Sequence, residues 1–512
     1  MTSDPAADDK APLARMLRVL ALAAASFLFG ILVTANSAGY RYGISDQSFY
    51  IPAFEHRADP ALFPRDGDMI DAQSRLTVAD ELVGGLTALT GIPLPPLFLA
   101  GYVLTVVLFV AAIVGLGSRL YASSWSVLAL GLALTLRHRI AKTGVNTFEG
   151  YFHPRVLTFS IGLLALAALM QSRRTLALSL VAVGVLVHPT TGVWFAVWVG
   201  VAIVMSRPVR WTAVVAGVAG AAAAGGLLVV AGPLQAGLTV IDPEWAVVLS
   251  ERDYLYPTDW RAETWLVNAI APVLLVLVYR WRSALGLVTP VERGIVAGAL
   301  ALLVLFAASL PFIAARIALA IQLQTSRVLW QVEVLALAYL VWALCEAPWR
   351  GVLTPRRRQV AIVVALLVAS AARGAYILRV EHDHSLVVAD LPQTPWLRAA
   401  EWIRANSPED AHVLADPDHA WRYGVSFRIA GRRDIFLERA KDAAIAIYSR
   451  PLAMRISERR QALGNFNALT PDTLAALDQR YDLDYVITEQ QLPLPLAKAE
   501  GPLNIYRLDA RP

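Results

Sequence analysis

Closely spaced aspartates stand out in the stretch RDGDMID. It contains Asp66, Asp68 and Asp71, and carboxylates at this spacing can hold a divalent cation through oxygen ligands. The same stretch fits a glycine-centred turn followed by a helix start, in which the acids are solvated or cap the helix. Because the sequence offers no further ligands to complete a metal site, we favour the turn and keep a metal at Asp66 and Asp68 as the weaker alternative.

A second group of ionisable side chains lies in the stretch NTFEGYFHPR, directly before an apolar run. Such groups at a membrane boundary commonly mark a binding site when they face the interior of a helix bundle. Arg155 can bind a phosphate, while Glu149 orients it or the acceptor and His153 lies between them in the sequence. The alternative is that these residues anchor the helix end among lipid headgroups. We treat all three as candidates for substrate binding.

A third stretch, AIQLQTSRVLW, places Gln324 and Arg327 at another boundary of an apolar run. The planar guanidinium group of arginine binds phosphate through two parallel hydrogen bonds, which suits a lipid phosphate at headgroup depth. A long arginine side chain that only reaches toward the interface explains the position nearly as well. Gln324 and Arg327 are therefore candidates for binding a phosphate group.

The composition places these stretches in a membrane protein. Hydrophobic residues make up 57% of the chain and charged residues 17%, and the mean hydropathy is +0.52. These values are far from those of a soluble domain. The net charge is +5, but the arginines form no basic tail or stripe, so nucleic-acid binding is not expected. We expect membrane lipids to be the main surroundings of the chain.

Apolar runs predict a polytopic α-helical membrane protein with about eleven transmembrane helices. A spanning helix needs roughly 20 apolar residues, and the third and fifth runs are shorter, so either of them can be tilted or re-entrant. The runs are 19–36, 97–118, 120–136, 156–172, 175–188, 191–206, 211–232, 264–279, 294–312, 328–346 and 360–378.

Basic residues are distributed unevenly between the two sets of loops. If the N-terminus is cytoplasmic, the inner segments hold 15 Lys or Arg in about 60 residues, and the outer loops before the last span hold 12 in more than twice that length. Since short basic loops stay in the cytoplasm, we predict a cytoplasmic N-terminus. The long first loop 37–96, the three stretches above and the tail then all face outside.

The tail predicts a small soluble α/β domain over residues 380–512, after a transmembrane domain over residues 1–379. The stretch TPWLRAAEWIRANSPEDAHVLADP indicates an amphipathic helix and then a strand. The stretch TPDTLAALDQRYDLDYVITEQ repeats that order, and LNIYRL indicates a last strand. A segment of this length can form its own core.

One outer loop, residues 233–263, interleaves aromatic and acidic residues. Trp245, Tyr254, Tyr256 and Trp260 can form a surface on which a sugar stacks. They also fit the aromatic belt that many membrane proteins have at the interface, and we favour the belt.

This arrangement resembles the GT-C superfamily of integral-membrane glycosyltransferases, and the resemblance covers the whole chain as architecture. The shared features are one outward-leading helix, a long first outer loop with an early acidic residue, some ten further helices and a soluble outer C-terminal domain. In that superfamily the first outer loop carries an Asp-Glu or Asp-x-Asp pair near its start. The matching stretch here is SDQSFY, with Asp46 in the position of the catalytic acid and Gln47 where a second acid often stands. That departure leaves no cofactor assigned, with a divalent cation as an option.

The resemblance implies an inverting glycosyltransferase on the outer face of a membrane, with the bacterial inner membrane as its expected home. Its donor would be a polyprenyl-phosphate-linked sugar and its acceptor a lipid or a glycan. Such a donor brings its own leaving group, so transfer needs mainly one carboxylate to take the acceptor's proton, here Asp46, and cations to hold the phosphate. Partial desolvation would raise the pKa of Asp46 toward the working range.

Three alternatives stay open. Asp46 can be an ordinary turn or cap residue, since acids are common in outer loops. The chain can be a polytopic transporter or flippase for a lipid-linked or anionic substrate. It can also be a non-catalytic GT-C-like scaffold, to which the loss of an acid at Gln47 would point.

Overall fold

A computed structural model describes residues 10–74, 77–136, 138–207, 235–349 and 353–508, with single residues and pairs between 212 and 227. Helices dominate this part of the chain. Up to the last apolar segment they are α1 (Lys10–Asn36), α2 (Gln47–Ala58), α3 (Gly67–Ser74), α4 (Ala79–Thr90), α5 (Leu94–Leu120), α6 (Ser124–Thr135), α7 (Pro154–Met170), α8 (Arg174–Val187), α9 (Pro189–Met205), α10 (Pro243–Leu249), α11 (Ala262–Ala284), α12 (Pro290–Ala314), α13 (Ala318–Gln322), α14 (Val328–Cys345) and α15 (Pro355–Tyr376).

Five segments within the described residues are long and apolar enough to cross a membrane. They are α5, α11, α12, the segment Ala318–Cys345 that contains α13 and α14, and the segment Pro355–Glu381 that begins with α15. Shorter apolar helices are α6, α7, α8, α9 and the Leu22–Asn36 part of α1. These helices confirm a helical membrane protein.

The expected number of about eleven spans is not reproduced. The apolar runs other than 211–232 all coincide with helices, but run 211–232 lies largely outside the described residues. Helices α6 to α9 have only 12 to 17 residues. At about 1.5 Å per residue such a helix covers roughly 18–26 Å, less than the ~30 Å hydrocarbon core of a bilayer. The hydropathy of the sequence therefore predicts where the helices lie, but it does not decide which of them cross the whole bilayer.

The first loop, residues 37–96, is tied to two other parts of the chain. Its strand β1 (Tyr40–Arg41) pairs in parallel with β4 (Val387–Val388), which follows the last apolar segment. Arg41 also donates its backbone N–H to the carbonyl of Gly150, at 2.9 Å. Gly150 lies so close to the backbone of residues 37–39 that a Cβ atom there would clash with it. The loop before α7 can therefore lie directly against the loop after α1.

Helices α7 and α14 are joined by a stacked aromatic pair. The rings of Phe159 and Trp330 are 3.7 Å apart and nearly parallel, at 7°. Phe159 is one turn after Arg155, and Trp330 is one turn after Arg327. The stack therefore brings these two arginines to the same end of the helix bundle. A short hairpin of β2 (Arg139–Ile140) and β3 (Val145–Asn146) lies in the loop before α7.

The chain after β4 combines helices with a five-stranded mixed sheet. The elements are α16 (Pro395–Asn406), β5 (His412–Leu414), α17 (His419–Arg422), α18 (Phe427–Ala430), β6 (Asp434–Ile435), α19 (Arg439–Ile445), α20 (Arg450–Leu463), α21 (Pro471–Tyr481), β7 (Tyr485–Thr488), β8 (Leu496–Glu500) and β9 (Leu503–Arg507). The strand order is β6-β5-β7-β9-β8, with β5 parallel to β6 and β7 and with β9 antiparallel to β7 and β8. Both stretches that the sequence predicts as a helix and then a strand have that order, as α16–β5 and α21–β7.

Candidate functional site

Asp46 directly precedes helix α2, but its side chain does not cap the helix. Its backbone carbonyl accepts from the N–H of Phe49 at 3.0 Å, while its carboxylate makes no cap hydrogen bond. That carboxylate is 28% exposed and has the side chains of His153, Arg155 and Lys441 within 4 Å. The cap interpretation therefore does not account for where the Asp46 side chain points.

His153 holds one oxygen of this carboxylate. Its Nε2 atom is 3.1 Å from Asp46 Oδ2, and its Nδ1 atom accepts the backbone N–H of Arg155 at 3.0 Å. Because Nδ1 is an acceptor, the neutral ring carries its proton on Nε2 and donates it to Asp46. Burial and the nearby Arg155 lower the pKa of His153, which favours this neutral form.

Arg155 bridges two acids at the start of α7. Its Nη2 atom is 2.7 Å from Glu149 Oε1 and 3.7 Å from Asp46 Oδ2. The Arg155 side chain is only 5% exposed, and its Nε atom has no hydrogen-bond partner. Glu149, His153 and Arg155, which the sequence predicts as one group, do lie together, and they lie at Asp46.

Lys441, from helix α19 of the tail, completes the cluster, and sequence reasoning missed it. Its Nζ atom is 3.2 Å from Asp46 Oδ1, and its side chain is 8% exposed. The ammonium group also lies 5.1 Å from the ring centroid of Phe49 in the first loop. Lysine occurs only four times in the chain, and that scarcity was the one signal that could have drawn attention to it.

The surroundings of Asp46 reverse the expected direction of its pKa. Burial alone would raise the pKa, as the sequence led us to expect. Lys441, His153 and Arg155 outweigh burial and hold the pKa well below its usual range. Asp46 is therefore ionised at neutral pH and held by cations in the resting protein.

Arg327 and Gln324 lie close to this cluster rather than in direct contact with it. The guanidinium of Arg327 is over the ring of Tyr254, 5.3 Å from its centroid, and interacts electrostatically with Arg155 and Asp46. Gln324 has a left-handed backbone, with φ at 49°, and its Oε1 atom is buried without a hydrogen-bond partner. A strained residue with an unsatisfied polar atom is typical of a site that is shaped for a ligand.

The residues around Asp46 do not fit a divalent cation. Gln47, at the position where a second acid often stands, uses its side chain to brace the backbone. Its Oε1 atom accepts from Gly43 N at 2.6 Å, and its Nε2 atom donates to the carbonyl of Phe152 at 3.1 Å. Asp46 is flanked by cationic groups, and the other carboxylate of the site, Glu149, pairs with Arg155, whereas hard divalent cations need several oxygen ligands.

Asp66 and Asp68 do not converge on a common site. Asp66 is fully buried, and its carboxylate pairs with Arg428, at 2.8 Å, and with Arg455. Asp68 lies in the first turn of α3 and is exposed. Among the described residues, no cluster of three or more His, Cys, Asp or Glu side chains could hold a metal ion. Asp66 instead joins the first loop to the tail.

The aromatic residues of loop 233–263 pack largely against protein. Trp245 is buried and donates its indole N–H to the carbonyl of Ala446, at 2.8 Å. Trp260 is buried too and donates to the carbonyl of Asp253, at 2.9 Å. These two tryptophans hold the loop to itself and to the tail, so they do not form the expected interfacial belt.

We predict that Asp66→Asn destabilises the protein by about 3 kcal/mol, since it removes one partner of a buried charge network. The arginines hold the pKa of Asp66 below its usual range despite burial. Its contribution to stability is therefore present above the unfolded pKa of about 3.9 and is lost as the pH falls. The measurement is denaturant unfolding in mild detergent at pH 7. Asp68→Asn is the control, and an equal effect of both variants would contradict the assigned role.

Comparison with known proteins gave no match to a family and no match to a curated protein. The chemistry of the site must therefore be argued from its geometry. Two carboxylates, Asp46 and Glu149, lie among the cations Arg155, Lys441 and Arg327, with a neutral histidine. The cations outnumber the acids by one, which suits an anionic ligand. The carboxylate beside them can take a proton from a second substrate group that lies next to that ligand.

Proposed function

We propose that the protein is a GT-C-type glycosyltransferase that moves a sugar from a polyprenyl-phosphate carrier to a lipid or glycan acceptor. Asp46 is the general base. The observation that carries this proposal is the position of the Asp46 carboxylate, turned away from its own helix toward two cations and a histidine from two other parts of the chain. Arg155, Lys441 and Arg327 are the groups that hold the donor phosphate.

The ion pairs of Asp46 suggest how donor and base are coordinated. A donor phosphate competes with Asp46 for Lys441 and Arg155, because phosphate offers more acceptor oxygens than a carboxylate. Each cation that moves to the phosphate stops lowering the pKa of Asp46, so the carboxylate becomes a stronger base when donor is bound. His153 keeps its hydrogen bond to Oδ2 and so fixes the orientation of the carboxylate.

The transfer then proceeds as a single displacement. Asp46 takes the proton of the acceptor hydroxyl while the oxygen of that hydroxyl attacks the anomeric carbon. The bond from that carbon to the phosphate oxygen breaks, and the electron pair leaves with polyprenyl phosphate, whose charge the cations stabilise. The configuration at the anomeric carbon is inverted. No step requires a divalent cation, in line with the ligand set around Asp46.

The proposed function also implies a membrane topology. We place about eleven spans in a bacterial inner membrane that thins locally around the short helices α6 to α9, with the N-terminus in the cytoplasm and residues 380–512 outside as a soluble α/β domain. The asymmetry of basic residues between the loops supports this orientation. The contact of Lys441 with Asp46 requires the tail and the first loop to share one side of the membrane.

A reporter that is active only after export tests the orientation. Fused after Pro512, it should be active, whereas a fusion at Pro355 should be inactive because that loop is short and basic. The measurement is reporter activity in intact cells, with a cytoplasmic reporter at the same two positions as the control. The reverse pattern would place the site on the inner face and rule out an outer acceptor.

Arg327→Lys tests the phosphate clamp. Lysine keeps the charge but loses the planar fork, so donor affinity should fall by roughly tenfold if Arg327 binds phosphate through two hydrogen bonds. The measurement is binding of a polyprenyl-phosphate sugar to the purified protein. Arg398→Lys, at an exposed arginine that pairs with Glu500, is the matched control. Unchanged affinity in the Arg327 variant would show that its role is interfacial anchoring.

A further inference from the structure

A polar cleft beside the proposed site follows loop 233–263, with the β2–β3 hairpin on one side and the tail on the other. It consists of two cavities of about 640 and 530 Å³ that share Glu251 and Arg252 as lining residues. Tyr254, whose ring contacts the guanidinium of Arg327, lines the larger cavity. Trp421 lines the smaller one and has its ring centroid 6.0 Å from Lys441 Nζ. The cleft therefore borders residues that contact both Arg327 and Lys441, and each cavity has a size usual for a small-molecule site, about 300–1,000 Å³.

Arg252 lies where the two cavities meet and has unused hydrogen-bond donors. Its Nε and Nη2 atoms are buried without a hydrogen-bond partner. Neighbouring lining cations have acceptors: Lys142 pairs with Asp253, and Arg439 donates to Asp418 at 2.8 Å. Buried N–H groups of a half-buried guanidinium that lack acceptors are unfavourable, and a bound oxyanion supplies two acceptors in the matching geometry.

Charge in the larger cavity favours the same kind of ligand. Four cationic side chains line it, against two acidic ones. The cationic side chains are Arg139, Lys142, Arg252 and Arg373, and the acidic ones are Glu251 and Asp253. An excess of positive charge in a concave polar surface attracts anions and repels cations.

Trp421 gives the smaller cavity a flat apolar surface. Its side chain is 69% exposed, which is uncommon for the largest aromatic residue outside a binding surface. The remaining lining of that cavity is mostly charged, namely Glu251, Arg252, Asp418, Arg422 and Arg439. A single exposed indole in a charged cleft suits a ligand that has both an apolar ring face and many hydroxyl groups, as a sugar has.

We infer that the cleft binds an acidic saccharide, whose sugar ring stacks on Trp421 and whose carboxylate or phosphate group binds Arg252. This inference rests on the proposed function, since it makes the acceptor of the transfer an acidic glycan. It assigns roles to Trp421 and Arg252 that the transfer chemistry at Asp46 does not need. The acidic group would hold the acceptor so that another of its sugars reaches Asp46.

Binding of three matched disaccharides to the full-length protein in nanodiscs tests the inference by calorimetry. One disaccharide ends in glucuronate, one in glucose 6-phosphate and one in neutral glucose. The wild-type protein should bind at least one acidic probe more tightly than the neutral one. Arg252→Gln should weaken binding of that acidic probe by roughly 10- to 100-fold and leave the neutral probe unchanged, because only a charge-assisted contact is lost. Trp421→Ala should weaken all three.

Two further variants control for unspecific effects. Arg398→Gln removes a charge elsewhere on the tail and should change nothing, whereas Arg252→Lys keeps the charge and should retain part of the preference for the acidic probe. The inference is overturned if the wild type shows no preference for acidic probes, or if Arg252→Gln keeps that preference. Because neither donor nor transfer is measured, the result is independent of the role of Asp46. If the protein binds the acidic probe through Arg252 but transfers no sugar, the proposed function is wrong and the cleft is still a binding site for acidic saccharides.

Discussion

Replacing Asp46 by asparagine is expected to lower the rate of sugar transfer by about 10²- to 10⁴-fold, the usual contribution of a general base. Asparagine has nearly the same shape and can still accept the hydrogen bond of His153, so the fold of the first loop should survive. It cannot take a proton from the acceptor. Donor binding should be kept, because Asp46→Asn leaves Lys441 and Arg155 without a competing carboxylate. The measurement is single-turnover transfer from a polyprenyl-phosphate sugar, alongside donor binding.

Asp68→Asn is the matched control for this variant. Asp68 is an exposed acid of the same loop, so its replacement should leave transfer nearly unchanged. Asp66 is unsuitable as a control, since its replacement is expected to destabilise the protein. If Asp46→Asn transfers sugar at the wild-type rate, Asp46 is not the base. If donor binding and transfer are lost together, Asp46 serves mainly to organise the cations.

Lys441→Met is expected to weaken donor binding by roughly 10- to 100-fold and to change the pH dependence of transfer. Methionine keeps much of the length of the side chain and its contact with Phe49 but removes the charge. After burial, which raises the pKa of Asp46, Lys441 is the strongest influence, and it lowers that pKa. Without Lys441 the pKa of Asp46 rises, so the loss of activity on acidification should begin at a higher pH. The measurements are donor affinity and the pH profile of kcat/KM, which reports the pKa of Asp46 in the protein without donor.

Lys498→Met provides the comparison for Lys441. Lys498 is a lysine of the tail that lies 3.7 Å from Glu500 and is well exposed, so neither donor affinity nor the pH profile should change. A purely structural role of Lys441 would lower stability and activity without moving the acidic limb of the profile. If the pH profile of Lys441→Met is the same as that of the wild type, Lys441 therefore does not act on Asp46.

The sequence predicts best those features that depend on local patterns. Apolar runs located the membrane helices, because helix formation in a bilayer needs only a continuous apolar stretch. Glu149, His153 and Arg155 were predicted as one group because they are neighbours in the chain, and the structure brings them to Asp46. The lengths of runs 156–172, 175–188 and 191–206 also agree closely with those of helices α7, α8 and α9, because polar residues or proline mark the ends of these runs.

Features that depend on distant partners were not predictable from the sequence. Lys441 is 395 residues from Asp46 in the chain, and nothing local in helix α19 marks it. For the same reason the pKa of Asp46 was expected to rise, since desolvation follows from its place beside a membrane helix but the three compensating groups do not. A metal at Asp66 was the weaker alternative in the sequence, because its partners Arg428 and Arg455 are distant in the chain.

The central claim is that Asp46 and the cations around it transfer sugar from a polyprenyl phosphate. Its most direct test is the release of polyprenyl phosphate by the purified protein in liposomes, with a panel of polyprenyl-phosphate sugars and a panel of lipid and glycan acceptors. We predict release by the wild type that requires acceptor, yields a product with inverted anomeric configuration, and falls at least about 100-fold in Asp46→Asn. Equal release by the wild type and Asp46→Asn, or no release with any sugar of the panel, would contradict the claim.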